Sequence, residues 1–308
     1  MLDRSAETAF AAVLGAHALR ARISDNPQYC GRFIEPEPET PIGTFHLVDE
    51  GVCVVDLPQG GGAIELQAGD LVMFPHGAAH TLRSPPDCEA DDGPAAQRRT
   101  AILCGEFEFA SGRRNPVLDA LPAWIVVRHD DGQPQFRHLA RLMAHEARHA
   151  SFGRQLVLDK LADALFVMAL RQHIAASPER RGLIAALVDP RLARVLEALH
   201  LEPGRAWTVA ALAALAHQSR TAFAQHFHAV LGVSPYQYLT EWRMTEARRL
   251  LGDPRHSAAT IAEQLGYQTE AAFRRAFKKV HGHGPGQTRR AARHARINAV
   301  PPDPANAP

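Results

Sequence analysis

Phe223 and Phe227, and again Phe273 and Phe277, stand four residues apart in two stretches whose other side chains suit an anionic partner. In the second stretch, Phe273–His281 reads FRRAFKKVH, with Arg274-Arg275 between the two Phe residues and Lys278-Lys279 directly after them. On a helix the two Phe residues share one face and the cations lie away from it. Such cations can neutralise phosphates and release their counterions, and an Arg can also take a guanine edge through two N–H groups. Basic charge alone is as often a solvated face, so the elements that would present it decide its meaning.

Those elements occur twice. Aligning Phe223 with Phe273, an offset of 50, brings Ser219 to Thr269, Phe227 to Phe277, Gly232 to Gly282 and Pro235 to Pro285. Upstream, Leu212-Ala213 and Ile261-Ala262 correspond, with one extra residue in the second copy. In the first copy Val209–Leu215 reads as a short Ala/Leu helix, Ala216-His217-Gln218 as a turn, and Ser219 as the N-cap of a helix over Arg220–Val230. That helix buries Phe223 and Phe227 and turns Arg220, Thr221, Ala224, Gln225 and His228 outward. In the second copy Ile261–Leu265 is the support helix, Gly266-Tyr267-Gln268 the turn and Thr269 the cap, with Glu270, Ala271, Arg274 and Arg275 outward. A helix, a tight turn and a capped second helix make a helix-turn-helix unit, whose second helix enters a major groove. One copy would be read as part of a plain helical bundle. Two copies at one spacing argue for a repeated unit.

The charge distribution agrees. The 308 residues hold 34 Lys and Arg against 33 Asp and Glu. Yet residues 1–130 carry about 10 basic and 19 acidic side chains, and residues 190–308 about 16 and 8. This split points to a polyanionic partner for the back of the chain. A composition 46% hydrophobic and 22% charged supports packed cores, and the length is enough for two domains. No run of 18 apolar residues occurs, and MLDRSAETAF lacks a basic stretch followed by an apolar one. A membrane span and a secretory signal are therefore not expected, nor a membrane partner, and the expected location is the cytoplasm. Four cysteines in this length are no disulfide scaffold.

The front half has a different texture. Gly43–Val48, Val52–Leu57, Asp70–Phe74 and Thr100–Phe109 are short β-branched or aromatic runs within residues 30–110, punctuated by Gly- and Pro-rich turns. Glu89–Arg99 reads as a long polar loop. After Pro134, Phe136, Leu139, Leu142 and Met143, and then Leu158, Leu161, Leu165, Met168 and Leu170, recur at helical spacing. This helical pair is either a spacer or a dimerisation element. Ala175–Arg181 reads as a linker.

The stretch Trp207–Arg290, with WTVAALAALAHQSRTAFAQHFHAVLGVSPYQYL, WRMTEARRLL and IAEQLGYQTEAAFRRAFKKVHGHGP, resembles the DNA-binding domain of AraC/XylS-type transcriptional regulators. The resemblance implies that one long helix, about Pro235–Leu251, joins the two units so that both recognition helices reach successive major grooves. It implies double-stranded DNA as partner, a homodimer, and RNA polymerase as a further partner of an activator. Base-facing candidates carried over are Thr221, Ala224 and Gln225, then Glu270, Ala271, Arg274 and Arg275. Ala224 departs from the polar residue often found there, and His283-Gly284 replaces the usual residues before the second Pro. Phosphate candidates are Arg220, Arg243, Lys278, Lys279, Arg289 and Arg290.

The run Gly69–His80, GDLVMFPHGAAH, fits G-x5-P-x-G-x2-H and resembles the second motif of cupins, small jelly-roll barrels. That resemblance makes His80 an inward-facing residue and His46 its companion, with His76 or a thiol as further donors. These are the candidate metal ligands, and the alternative is that they are hydrogen-bonded barrel residues. The usual His-x-His is missing, so a metal ion held there would be sensory or structural, and no catalytic residue is assigned. TAILCGEFEF (Thr100–Phe109) is similar to the sensor of an oxidant-responsive cupin-type AraC subgroup, where Cys30 and Cys104 match the sensing pair. The plainer reading makes Cys104 and Cys53 small core residues and Cys88 an exposed loop thiol.

The expected fold class is α+β in two domains. A cupin-like sensor barrel spans 1–133, a helical linker or dimerisation segment 134–182, an all-α double helix-turn-helix domain 190–296, and a disordered tail 297–308. The expected function is a DNA-binding transcriptional regulator of the activator kind, not an enzyme. Its signal is an oxidant acting on cysteines, or else an organic ligand or metal in the barrel. A cupin enzyme fused to a DNA-binding domain is the remaining rival.

Overall fold

The computed structural model describes residues 4–86, 99–109, 115–130, 134–176 and 182–298. The loop expected at Glu89–Arg99 lies outside them as far as Arg98, as do Cys88, residues 177–181 of the expected linker, and residues 299–308 of the expected tail.

The elements run α1 (Arg4–His17), β1 (Leu19–Asp25), β2 (Gln28–Cys30), β3 (Ile34–Glu37), β4 (Gly43–Glu50), β5 (Val52–Asp56), β6 (Ala63–Gln67), β7 (Leu71–Phe74), β8 (His80–Arg83) and β9 (Arg99–Phe109). Then follow α2 (Pro116–Asp119), β10 (Ile125–Val127), α3 (Pro134–Arg148), α4 (Arg154–Ala176), α5 (Gly182–Val188), α6 (Pro190–Leu201), α7 (Val209–Leu215), α8 (Arg220–Leu231), α9 (Pro235–Leu251), α10 (Ala258–Gln264), α11 (Glu270–His281) and α12 (Pro285–Asn298). They form two compact units, Leu19–Arg180 and a second made of Met1–Ala18 with Arg181–Pro308.

In the unit Leu19–Arg180, two antiparallel sheets enclose a core. One has the order β1-β9-β4-β7-β10, with β2 also on β9, and the other the order β3-β8-β5-β6. Val72, Phe74, Ile102 and Cys104 from the first sheet meet Cys53, Val55, Leu66 and Leu82 from the second. The alternation of strand side chains sends Leu103 and Phe107 of β9 to the opposite face, where Phe107 packs on Phe166 of α4 with ring centroids 4.7 Å apart. The turn after β7 needs Gly77, whose φ is +66° and whose absent Cβ would meet the Ile42 and Thr40 carbonyl oxygens at 2.3 Å. Pro75-His76-Gly77 therefore makes the turn within the Gly69–His80 motif.

The helical pair α3–α4 belongs to this unit. Its apolar side is spent on its own sheet, with Phe136, Met143, Leu158, Ala162, Leu165 and Phe166 buried. A polar row on α4 also serves the edge strand: the Ala21 and Ile23 amides donate to Asp163 and Asp159 at 2.8 and 3.3 Å, and Gln155 Nε2 donates to the Ile23 carbonyl at 3.0 Å. Carboxylates at helical spacing thus satisfy the outer N–H groups of β1, which would otherwise template another strand. Leu142, Phe152, Leu156 and Val157 stay exposed.

The sensor segment expected at 1–133 differs at its start. Helix α1 folds with the C-terminal unit, because Ala6, Ala9 and Val13 form a buried stripe and His17 sits edge-on to Trp242 of α9. A stripe of alanines gives little apolar contrast in sequence, and its packing partners lie about 180 residues or more ahead on α6 and α9.

Candidate nucleic-acid interface

The two helix-turn-helix copies superpose in their chemistry. The Ser219 hydroxyl accepts from the Ala222 amide at 3.3 Å, and Thr269 accepts from Ala272 at 3.1 Å, so α8 and α11 start on matching caps. Both end on a left-handed glycine, Gly232 at φ +74° and Gly282 at φ +79°. Phe223, Phe227, Phe273 and Phe277 are fully buried, which fixes the roll of each helix. The turns match one residue out of step: His217 at φ +52° answers Gly266 at φ +77°.

That roll leaves Thr221, Gln225, Ala271, Arg274 and Arg275 exposed, while Ala224 and Glu270 are half-buried. Arg274 is bound to Glu270, its Nε donating to Oε1 at 2.7 Å. Among the phosphate candidates Arg220, Lys278, Lys279 and Arg290 are exposed cations.

Two of the expected phosphate candidates are hydrogen-bonded within the fold. Arg243 is half-buried: its Nε donates to the Pro203 carbonyl at 2.6 Å and Nη2 to the Arg205 carbonyl at 3.0 Å. Its guanidinium lies 5.7 Å from the Tyr267 ring centre, and burial lowers its pKa. Arg243 therefore ties the α6–α7 loop and the second turn to α9. Arg289 is likewise committed, donating from Nη2 to the His256 carbonyl ahead of α10.

A polar latch that sequence reasoning missed holds α8. His226 Nε2 lies 3.0 Å from an Asp189 oxygen, and Gln218 Nε2 lies 3.3 Å from His226 Nδ1. The other Asp189 oxygen caps α6, accepting from Arg191 N at 2.8 Å. On the connector, His200 of α6 and Tyr238 of α9 bond through Nε2 and the hydroxyl at 2.8 Å, and the His200 ring lies on Trp242 at 3.9 Å. Burial lowers His200 to a pKa of about 3 and His17 to about 4.

In the double-sheet unit, His46 on β4, His80 on β8 and Cys104 on β9 are drawn together inside the core. His46 and Cys104 are register partners across the strands, with Nδ1 and Sγ 3.2 Å apart. His46 Nε2 lies 2.7 Å from His80 Nε2, and His80 Nδ1 lies 2.8 Å from the Ala78 carbonyl. A carbonyl only accepts, so His80 carries its proton on Nδ1 and accepts at Nε2. His46 then donates from Nε2 and accepts the Cys104 S–H at Nδ1. The chain of bonds is complete with every member neutral. Burial agrees, taking His46 to about 3, lowering His80 and raising the Cys104 thiol.

The expected metal set is not assembled. His76 turns its Nε2 to the Leu121 carbonyl at 3.3 Å, and the thiol and His80 lie on opposite nitrogens of His46. Among the described residues no three His, Cys, Asp or Glu groups are placed to hold a metal ion. The expected thiol pair is also apart. Cys30 is exposed and registers with Arg99, five positions before Cys104 on β9. Five strand residues span about 16 Å, whereas a disulfide needs Cα atoms within roughly 7 Å. Cys53 is a buried core residue, as the plainer reading has it.

Comparison with known proteins follows this division. Residues 9–175 match the cupin family model, and residues 212–291 match a helix-turn-helix domain. A putative AraC-like transcription regulator of Streptomyces lividans is 32% identical over 88% of this chain and 93% of its own. The RCS-specific HTH-type transcriptional activator RclR of Escherichia coli (strain K12) is 30% identical over 83% of this chain and 87% of its own. The crystal structure of the DNA-binding domain of AdpA in complex with a target DNA shares 32% identity over 36% of this chain and 99% of that one, with a TM-score of 0.33. No described helix is long and apolar enough to cross a membrane. With a cupin unit in front and a paired helix-turn-helix unit behind, this chain belongs to the AraC-like family of transcription regulators.

Proposed function

We propose that the chain is a cytoplasmic, sequence-specific activator that binds double-stranded DNA as a homodimer and acts with RNA polymerase. The observation that carries the reading is the pair α8 and α11. Both are capped, both are seated on buried Phe pairs and both turn base-competent side chains outward. Thr221, Gln225, Ala271, Arg274 and Arg275 serve as the base-facing set, with Glu270 and Ala224 at its edge. Arg220, Lys278, Lys279 and Arg290 serve as phosphate contacts. The exposed Leu142, Phe152, Leu156 and Val157 on α3–α4 favour self-association through that segment. Footprinting on promoter DNA, repeated at rising salt, tests the reading. The expected result is a protected site whose affinity falls steeply with salt. Affinity that is flat from low to moderate salt would reject it.

For the signal, the distance between Cys30 and Cys104 favours an oxidant acting on one thiol over a disulfide between the two, and Cys104 is the thiol whose oxidation would break a buried contact, the one to His46. Hypochlorous acid would convert the thiol to a sulfenic acid with release of chloride and a proton. The added oxygen would stand between the sulfur and His46 Nδ1, which are 3.2 Å apart. The activator RclR, named for a response to RCS, supports an oxidant as the signal. Reporter transcription under hypochlorite tests this, with response expected in Cys30→Ser and lost in Cys104→Ser. The reverse pattern would reject it.

A further inference from the structure

Glu270 and Arg274 stand one helical turn apart on the outward side of α11, with the carboxylate taking two bonds on one oxygen. Arg274 donates to Oε1 from Nε at 2.7 Å and from Nη2 at 2.5 Å. Among the described residues Oε2 has no partner. A guanidinium holds five N–H groups in one plane, and this contact uses the side edge, Nε with Nη2. The end edge, one N–H from each Nη, stays open.

The open groups form an ordered row: two parallel donors from Arg274, then an acceptor from Glu270. The major-groove edge of a G·C pair presents the complementary row, with N7 and O6 of guanine as acceptors and N4–H of cytosine as donor. An A·T pair presents acceptor, donor, acceptor, and sets an N–H against an N–H and an oxygen against an oxygen. We propose that Glu270 and Arg274 act as one unit that reads a single G·C base pair, Arg274 on the guanine and Glu270 on the cytosine. The inference rests on α11 entering a major groove as proposed above.

Three features of the fold support the unit. The Thr269 cap and the left-handed Gly282 fix both ends of α11, while Phe273 and Phe277 are buried beneath it, so the pair rides on a set backbone. The ion pair is exposed, with side-chain accessibilities of 57% for Arg274 and 37% for Glu270, and such pairs add little to stability. A lone carboxylate would be repelled from DNA, but here it arrives neutralised. The matching positions on α8 are Arg220 and Ala224, which cannot form this unit, so the reading is confined to α11. Arg275, Lys278 and Lys279 then supply the net positive charge.

The test is selection of randomised duplexes by the full chain, followed by binding to the selected duplex. Wild type is expected to fix one G·C pair through this unit and to weaken roughly tenfold or more when 7-deazaguanine, which lacks N7, replaces that guanine. Arg274→Ala is expected to bind both duplexes equally. Glu270→Gln should relax preference at the same base pair, and the double variant should lose no more discrimination than either single one. Relaxation at two different pairs, a uniform loss across all duplexes, or 7-deazaguanine tolerated by wild type would each overturn the unit while leaving DNA binding intact. Failure of wild type to enrich any sequence would overturn the DNA-binding reading beneath it as well.

Discussion

Nε2 of His46 and Nε2 of His80 lie 2.7 Å apart between the two sheets of the front unit, so one ring donates the proton that the other accepts. The bond of His80 Nδ1 to the Ala78 carbonyl settles the direction, and the whole chain from Cys104 to Ala78 is satisfied without charge. Its integrity therefore depends on both imidazoles staying neutral.

Acid should weaken the front unit first through this pair. Burial lowers His46 to about 3 and lowers His80, whereas an unfolded His titrates near 6.5. The unfolded state binds the extra proton, so stability is full above about pH 6.5 and falls as pH drops toward 3. Urea midpoints followed by hydrogen exchange in β4, β7 and β9 should decline across that window. A midpoint that is constant or rising from pH 6.5 to 4 would contradict the neutral chain. His17 and His200 impose the same sign on the C-terminal unit.

Arg243 and Lys279 should separate cleanly. Arg243→Ala strips the Pro203 and Arg205 carbonyls of their charged donor and should cost the C-terminal unit about 2 kcal/mol, with the salt slope of DNA binding unchanged. Lys279→Ala should leave the melting temperature alone and lower the salt slope by about one. Thermal melts paired with salt titrations decide the matter, and a changed slope in Arg243→Ala would restore it as a phosphate contact.

The two turns differ in a way that can be read as stability. His217 holds φ +52° where the other copy has Gly266 at φ +77°. A non-glycine residue in that region costs roughly 1 kcal/mol, so His217→Gly should raise stability by up to about that amount. Gly266→Ala should be worse than strain alone, because its Cβ would meet the Gly204 carbonyl oxygen at 2.3 Å. Chemical denaturation of both variants checks the opposite signs.

Helix α1 should behave as part of the C-terminal unit. Ala9 is fully buried among α1's neighbours there, and Ala9→Asp places a charge with no partner, at a cost of about 3 kcal/mol or more. Hydrogen exchange should show protection lost in α6 and α9 and retained in β4, β7 and β9. Loss confined to the strands would place α1 with the front unit after all.

Much of the C-terminal unit was legible because its signals are local. N-caps, a 3.6-residue apolar period, left-handed glycines and Pro at first helical turns act within a few residues, and the repeat doubled each of them. Helices α7 and α9 fall at the residues read from sequence, and the Ser219 and Thr269 caps form as expected. The strands of the front unit were recognised for the same reason, through β-branched runs and turn residues. The Glu270–Arg274 contact also obeys a local rule, the i, i+4 pairing of acid before base on a helix.

What the order of residues determined, then, was the helices of the repeat, four of the strands, the Ser219 and Thr269 caps and the outward face of each recognition helix, since these follow from neighbours along the chain. Tertiary structure alone decided which cations remain free. Arg243 and Arg289 look like Lys279 in sequence, and only the approach of distant carbonyls commits them. It likewise decided that α1 packs 180 residues ahead, that α4 lends its carboxylates to the edge of β1, and that His46 meets a thiol on one side and a second imidazole on the other. Hydrogen-bond partners far apart in sequence leave no periodic trace, because their pairing is set by how sheets and helices stack in space.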